Sequence, residues 1–213
     1  MIAALDLDEG LAALAAVGIT LPSHAAERLA AFLALLAKWN RTYNLTAIRD
    51  PEQMVTHHAL DALAVLAQLP RDDGLHLLDI GSGGGVPGLP LAIARPSWRC
   101  VLIDASQKKA AFMQQAAIEL ALPNVEAVNA RIEDYAPAAR FDVVISRAFS
   151  DLATFARAGL RLLAPRGRLY AMKGAYPGEE IAALPASVRV VAAPALAVPG
   201  LAAQRHLVVM EPV

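Results

Sequence analysis

The stretch Leu75-His76-Leu77-Leu78-Asp79-Ile80-Gly81-Ser82-Gly83-Gly84-Gly85-Val86-Pro87-Gly88 constrains this chain more than any other. Leu75 to Ile80 is an almost unbroken apolar run of strand length, as a central parallel strand covered on both faces requires. Four glycines among the next five residues can take positive φ and let a ligand lie against bare backbone. Pro87 suits the first turn of a helix, where its missing N–H is no loss. Strand, glycine-rich turn and helix together predict a nucleotide-type pocket at the carboxyl end of a doubly wound α/β sheet.

Two ligands compete for that turn. Gly83, Gly85 and Gly88 spell G-x-G-x-x-G, the dinucleotide fingerprint. Read from Asp79, the same residues spell D-x-G-x-G-x-G, the pattern of S-adenosylmethionine (AdoMet) methyltransferases. The acid favours AdoMet: a carboxylate at the strand tip can accept from a methionine ammonium, whereas beside a pyrophosphate it repels. The competing NAD-dependent oxidoreductase also lacks a Tyr and Lys at helical spacing to serve as acid and base. A tight turn without any ligand is disfavoured, because glycine this dense weakens a fold unless something approaches closely.

The flanking sequence supplies the frame. A 213-residue chain that is 56% hydrophobic, with mean hydropathy +0.43, has ample apolar material for a core and is not a disordered chain. The apolar run Leu29 to Ala37 is cut off by Lys38-Trp39-Asn40 before it reaches membrane-spanning length. Met1 to Gly10 carries acids and no basic run, unlike a secretory signal. Cys100 is the single cysteine, which excludes an internal disulfide and a multi-cysteine zinc site. A cytoplasmic protein is expected. The formal net charge of −1 leaves nucleic-acid binding to a local basic patch.

The first seventy residues read as helical. Asp6 is placed to cap a helix through Ala16 ended by Gly18, and Ser23 to cap a second helix burying Leu29, Phe32, Leu33 and Leu36 on one face. The run from Lys38 to Thr46, followed by Arg49, breaks that pattern with cations, amides and the aromatics Trp39 and Tyr43. Such a mixture suits bases and phosphates, and serves equally to dock a helical cap on the main domain. Asp50-Pro51 opens a further helix to about Leu69. His57 and His58 on it are adjacent and lack the spacing of a metal pair; one is expected beneath the glycine-rich turn and the other in solvent. No metal site is expected. Pro70 to Gly74 is a polar link.

From Leu75 strands alternate with helices. Arg99 to Ile103 is a strand ending at Asp104, about 20 residues past the glycines, where a ribose-binding carboxylate belongs. The helix Gln107 to Leu120 follows, with Lys108 and Lys109 on its solvated face. Val125 to Asn129 is a third strand, and its tip holds Ile132, placed to pack on an adenine ring, with Glu133 or a backbone amide to read the exocyclic amine. Phe141 to Ile145 is the fourth, tipped by Ser146-Arg147-Ala148. Arg147 there is suited either to clamp the AdoMet carboxylate or to contact RNA. A helix around Ala153 to Leu163, a fifth strand from Arg168 to Met172 ending at Lys173-Gly174, and strands Val188 to Ala192 and His206 to Met210 complete seven strands, the last pair an expected antiparallel hairpin.

The fourth-strand tip also limits the chemistry. Methylation of an exocyclic amine usually uses an Asn/Asp-Pro-Pro-aromatic tip, which Ser146-Arg147-Ala148-Phe149 is not. Methylation of pyrimidine C5 needs a cysteine nucleophile, and Cys100 lies inside a strand. Transfer to an already nucleophilic atom remains. Guanine N7 is one such atom, needing placement in line with the donor and no base. That narrows the acceptors without singling out N7.

Taken together, Trp39-Asn40 through Tyr43-Asn44-Leu45-Thr46, the Leu78 to Gly88 loop, Ile145-Ser146-Arg147-Ala148-Phe149, Met172-Lys173-Gly174 and Arg205-His206-Leu207-Val208-Val209 resemble the bacterial ribosomal small-subunit RNA methyltransferase G family, also called glucose-inhibited division protein B. The resemblance runs through nearly the whole chain in order and spacing. It implies N7 methylation of one guanine in 16S ribosomal RNA with AdoMet as methyl donor, the RNA being met free or in an assembling small subunit, and cofactor contacts from Gly81, Val86, Ile132, Glu133 and Arg147. Where the family often has a bulkier residue and a leucine, this chain has Gly84 and Val86. The expected architecture is a Rossmann-like class I methyltransferase fold of seven mostly parallel strands at 71–213, with an N-terminal helical cap at 1–70. Asp79, Gly81, Gly83, Gly85, Val86, Asp104, Ile132, Glu133 and Arg147 form the expected cofactor site, and Arg147 is the residue expected at the chemistry. The protein is expected to act as a monomer, away from membranes. A non-catalytic RNA-binding assembly factor that keeps AdoMet as a structural ligand is the other class left open.

Overall fold

The computed structural model describes residues 6–147, 149 and 151–213; Ala148 of the Ser-Arg-Ala tip and the first five residues lie outside the described residues. Two helices open the chain: α1 (Leu7–Ala16), whose first turn is capped by the Asp6 carboxylate accepting from Glu9 N at 2.8 Å, and α2 (Ala25–Tyr43). Ser23 does not cap α2. His24 occupies the N-cap position and makes no side-chain capping bond. Nor does the segment from Lys38 break the helix, which runs on to Tyr43 and stops where Asn44 turns left-handed at φ 51°. Lys, Trp, Asn, Arg and Thr are tolerable helix residues, and burial of Leu33, Leu36 and Asn40 on one face carries the helix through them.

The expected helix from Asp50 starts where the sequence places it, with Asp50 capping Glu52 N and Pro51 at its first position. It is not regular. α3 (Pro51–Met54) passes into a π-helical turn (Val55–Leu60), then α4 (Asp61–Ala64) and a 3₁₀ turn (Val65–Ala67). The π turn has a consequence at the site, as π-bulges often do.

The sheet is built from β1 (His76–Ile80), β2 (Arg99–Asp104), β3 (Val125–Asn129), β4 (Phe141–Ser146), β5 (Leu163–Lys173), β6 (Val188–Ala192) and β7 (His206–Pro212). Its order is β3-β2-β1-β4-β5-β7-β6, with β7 antiparallel to both neighbours and the other pairs parallel. The chain reverses its direction of travel across the sheet between β1 and β4, so the rim at their carboxyl ends is the topological switch point where ligands settle. β5 begins five residues before the expected Arg168 and includes Pro165 and Gly167. Leu163 pairs with Phe141 before the register shifts to Arg168 opposite Val143, and a Cβ on Gly167 would lie 2.5 Å from the Phe141 carbonyl. That irregularity is what a strand holding Pro and Gly needs.

Side chains of β1 alternate between two cores. Leu77 packs with α5 (Gly88–Ala94), α6 (Gln107–Glu119) and the N-terminal helices, while Leu78 and Ile80 pack with α7 (Leu152–Leu160) on the other face. The first core joins Leu29, Phe32, Leu36, Leu60 and Leu63 to Leu89, Phe112, Cys100 and Val143 without a break. The N-terminal helices therefore share one apolar interior with the sheet. No helix among the described residues is long and apolar enough to cross a membrane.

Candidate active site

The glycine-rich loop between β1 and α5 is held from beneath. Asp79 is fully buried, and its Oδ2 accepts from Ser82 Oγ and from Gly88 N at 2.8 Å. Burial raises its carboxyl pKa to about 6, against the lowering pull of those two donors and of Arg147. Asp79 thus shapes the loop. β1 points it inward beside Leu102 and away from solvent, and its Oδ1 is buried without a hydrogen-bond partner among the described residues. A Cβ on Gly88 would sit 2.8 Å from that carboxylate and 2.6 Å from Leu102, so only glycine fits above the acid. Gly85 is equally committed, with φ at +77° and Leu89 at 2.3 Å from any added Cβ.

The loop's N–H groups distinguish the two ligands left open by the sequence. Gly81 N and Ser82 N donate to Ile103 O, Gly83 N to the Asp104 carboxylate, Gly85 N and Val86 N to Ser82 O, and Gly88 N to Asp79. A pyrophosphate needs such donors turned toward it. Here all of these are spent inside the protein, Gly84 N alone among the described loop amides being left over, and the loop offers a largely satisfied backbone surface beneath a ligand of low negative charge.

Three cavities follow one another along the carboxyl rim. The first, about 260 Å³, is lined by Asp104, Ile132, Glu133, Ile80, Phe149 and Gly81, among others. Asp104 faces it while accepting from Gly83 N at 3.0 Å and Ser106 N at 2.9 Å. The 3₁₀ turn Ile132–Asp134 puts apolar Ile132 inward and leaves Glu133 exposed. Arg161, just after α7, braces that turn by donating to the carbonyls of Ile132 and, at 2.9 Å, Tyr135. Acid, flat apolar side chain and aromatic Phe149 around one hollow suit a ribose and a purine ring.

The second cavity, about 300 Å³, shares Gly81 with the first and continues over Ser82, Gly83, Gly84 and Val86 to Lys109 and Arg147. Lys109 is not merely solvated, since its ammonium lies 3.7 Å from Asp104. Gly85 faces neither hollow and packs on Leu89. The roof comes from the helical unit: Leu36, Leu45, Thr46 and His58. The N-terminal amides explain that roof. Buried Asn40 accepts from Thr46 N and donates to Ile48 O, fixing the loop after α2, and Thr46 Oγ1 meets His58 Nε2 at 3.0 Å. With His58 Nδ1 on the His57 carbonyl at 3.1 Å, both ring nitrogens are engaged by groups a neutral imidazole satisfies. Burial and nearby Arg147 lower the His58 pKa to about 4. His58 therefore lies over the glycine turn and not beneath it, and His57 is half-buried where the sequence expects a solvated side chain.

The third cavity, about 410 Å³, shares Thr46, His58 and Arg147 with the second and adds Asp61, Met172, Lys173 and Arg205. Arg147, at the tip of β4, is the wall between the two. Its Nη1 donates to the His57 carbonyl at 2.7 Å and lies 3.5 Å from Asp61 Oδ2. The π turn makes this contact available: Asp61 N–H donates to Thr56 O, five residues back, and not to His57. Asp61, almost wholly buried, also accepts from Arg205 Nε at 3.0 Å. Asp61 carries no local signal of a site role in the sequence, because partners 86 and 144 residues away define it. Trp39 leans on Phe112 of α6 at 5.6 Å, whereas Tyr43 is 42% exposed: the first docks the cap and the second faces solvent.

Comparison with known proteins bears on this geometry. Residues 25–208 match the family model described as rRNA small subunit methyltransferase G. The chain is 54% identical to the ribosomal RNA small subunit methyltransferase G of Aromatoleum aromaticum over 98% of each chain. Among solved structures, a SAM-dependent methyltransferase from Aquifex aeolicus superposes with TM-score 0.57 at 18% identity, covering 82% of this chain and 97% of that one. Coclaurine N-methyltransferase bound to N-methylheliamine and SAH does so with TM-score 0.57 at 16% identity, covering 89% and 71%. The two structures share the fold.

Proposed function

This chain belongs to the rRNA small subunit methyltransferase G family, and we propose that it transfers a methyl group from AdoMet to N7 of one guanine in 16S ribosomal RNA, acting in the cytoplasm as a monomer. The observation that carries the reading is the continuous row of three cavities over a glycine loop whose amides, Gly84 N apart, are already bonded. One end suits an adenosine, the middle a short apolar-and-charged tail, and the other end is polar and basic.

The residues present fit the donor. Asp104 would hold ribose hydroxyls, Ile132 and Phe149 the adenine faces, and Glu133 or its backbone the exocyclic amine. Gly81, Gly83 and Val86 would lie along the methionine, within reach of Lys109 and Arg147. Asp79 and Gly85 serve by shaping the loop. When bound, AdoMet supplies a methyl group on a sulfonium.

The chain itself supplies placement. Cys100 is buried within β2 and burial pushes its thiol up to about 12, so attack on a pyrimidine ring has no nucleophile there. His58 is held neutral with both ring nitrogens engaged. An acceptor with its own in-plane lone pair, guanine N7, needs neither group. Arg147 stands between donor and acceptor cavities with its guanidinium fixed by His57 and Asp61, where it can hydrogen-bond guanine O6 or a phosphate and offset charge as it develops. The test is incubation of methyl-labelled AdoMet with small subunits lacking the modification, followed by digestion and nucleoside mass analysis. One new 7-methylguanosine is expected; a different methylated nucleoside refutes the acceptor, and no transfer refutes the substrate.

A further inference from the structure

The third cavity holds an arrangement that family membership does not assign. Asp61 lies on the helical unit, Arg147 at the tip of β4 and Arg205 just before β7, so three separate parts of the chain meet at one carboxylate. Each oxygen of Asp61 serves a different arginine, Oδ1 the Nε of Arg205 at 3.0 Å and Oδ2 the Nη1 of Arg147 at 3.5 Å. Asp61 itself is 1% exposed. A carboxylate buried to that degree needs firm cationic partners, and two guanidiniums over-supply it by one positive charge. The remaining cation in the lining, Lys173, is matched by Glu180 at 2.8 Å. His58 adds no charge near neutral pH. Arg147 also lies in the field of the buried Asp79 carboxylate, so the excess belongs chiefly to Arg205, and both arginines border the open cavity.

We propose that Arg147 and Arg205 form a site for one phosphate of the RNA backbone next to the target nucleotide, and that Asp61 is the positioning residue that holds them. This rests on the rRNA reading above. Guanidinium geometry matches phosphate oxygens bidentately. Arg205 is bound to Asp61 through Nε and donates from Nη1 to the carbonyl of its neighbour Gln204, which leaves Nη2 for a ligand of the cavity that Arg205 lines. A carboxylate beneath two arginines fixes where they point without cancelling the pair. The AdoMet carboxylate shares the relevant chemistry, and Arg147 borders its cavity too; Arg205 borders the third cavity and not the second, which places the paired site on the acceptor side.

Single-turnover methyl transfer to undermethylated small ribosomal subunits, over a series of enzyme and KCl concentrations, tests this. Arg205→Gln is expected to raise the half-saturating concentration about tenfold and make its log–log salt dependence shallower by about 0.7 to 0.9, the loss of one phosphate contact. Its AdoMet affinity should stay within about twofold. Asp61→Asn is expected to lower the saturated rate by at least about tenfold with no flattening of the salt dependence, because both arginine charges are kept and their direction is lost. A general loss of structure would not separate the two variants in this way. An unchanged salt slope in Arg205→Gln overturns the phosphate site, as does a fall in AdoMet affinity in its place, which would give the pair to the methionine carboxylate. If Asp61→Asn does not fold, Arg205→Gln decides the site alone, and a wild-type rate in Asp61→Asn overturns the positioning role. A wild-type protein inert on these subunits refutes the substrate reading instead, and the phosphate assignment with it.

Discussion

The two ends of the cavity row are built by different means. The adenosine end is assembled from strand tips that neighbour one another in the sheet, and much of its bracing is backbone: Asp104 accepts from Gly83 N and Ser106 N, and Ile132 and Glu133 share a single turn whose carbonyls Arg161 holds. The acceptor end is assembled from side chains drawn across the chain, with Arg147 reaching His57, 90 residues away, and Arg205 reaching Asp61, 144 residues away. A backbone-built hollow tolerates many single changes, whereas a hollow held by charged side chains depends on each of them. Loss of function should therefore be steepest at the acceptor end, and loss of cofactor affinity should be confined to the other.

The largest effect is expected at Arg147. Arg147→Ala removes the wall between the second and third cavities and leaves the His57 carbonyl without this donor. Single-turnover transfer should fall by about 10² to 10³-fold, the usual loss for a positioned donor, while circular dichroism and AdoMet titration show a folded, cofactor-binding protein. Transfer at the wild-type rate would break the contrast at its strongest point.

A pH effect comes next, because His58 belongs to the roof and not to the strand tips. Its pKa is lowered from the usual 6.5 to about 4, so the folded protein favours the neutral ring. That contribution is fully present above pH 6.5 and is lost as pH falls toward 4, amounting to about 3 kcal/mol. Asp79 runs the other way: with its pKa raised to about 6, its contribution is present below pH 3.8 and is lost as pH rises through 6. The His58 part is therefore read as a difference, wild type against His58→Gln, in denaturant melts between pH 4 and 7. Parallel curves would remove His58 from the account.

These two residues also show what a sequence can and cannot disclose. Asp79, the glycines, Asp104 and the Ile132-Glu133 turn sit in runs whose spacing is local, and strand order then brings the runs together. The sequence locates them for that reason. It does not show which way Asp79 points, because alternation along β1 and not the motif decides that. The π turn at Val55–Leu60 has no composition of its own, so the exchange of partners at the His57 carbonyl, and with it the place of Asp61, appears only in the folded chain. The Lys38 to Thr46 run looks like a loop by residue type, yet its buried face makes it helix as far as Tyr43.

Asp104→Ala should weaken AdoMet by about ten- to a hundredfold, the range for a hydrogen bond to a charged group, with little change in RNA affinity. Calorimetric titration with AdoMet and with RNA separates the two. Equal weakening of both ligands would deny the division between the ends. The smallest effect is expected outside the row. Tyr43→Ala exposes no core and should leave stability within about 0.5 kcal/mol, while a base stacked there would make it cost about fivefold or more in RNA affinity. Trp39→Ala, which opens the contact with Phe112, should instead cost about 3 kcal/mol or more in denaturant melts.

A crystal structure of the complex with S-adenosylhomocysteine tests the central allocation most directly. The account requires the adenine beside Ile132 and Phe149, the ribose hydroxyls on Asp104, the amino-acid tail over Gly81 to Val86, and the third cavity with Arg205 left open for the acceptor. A nucleoside lodged in the third cavity, or an amino-acid tail held by Arg205 and Asp61, would contradict it.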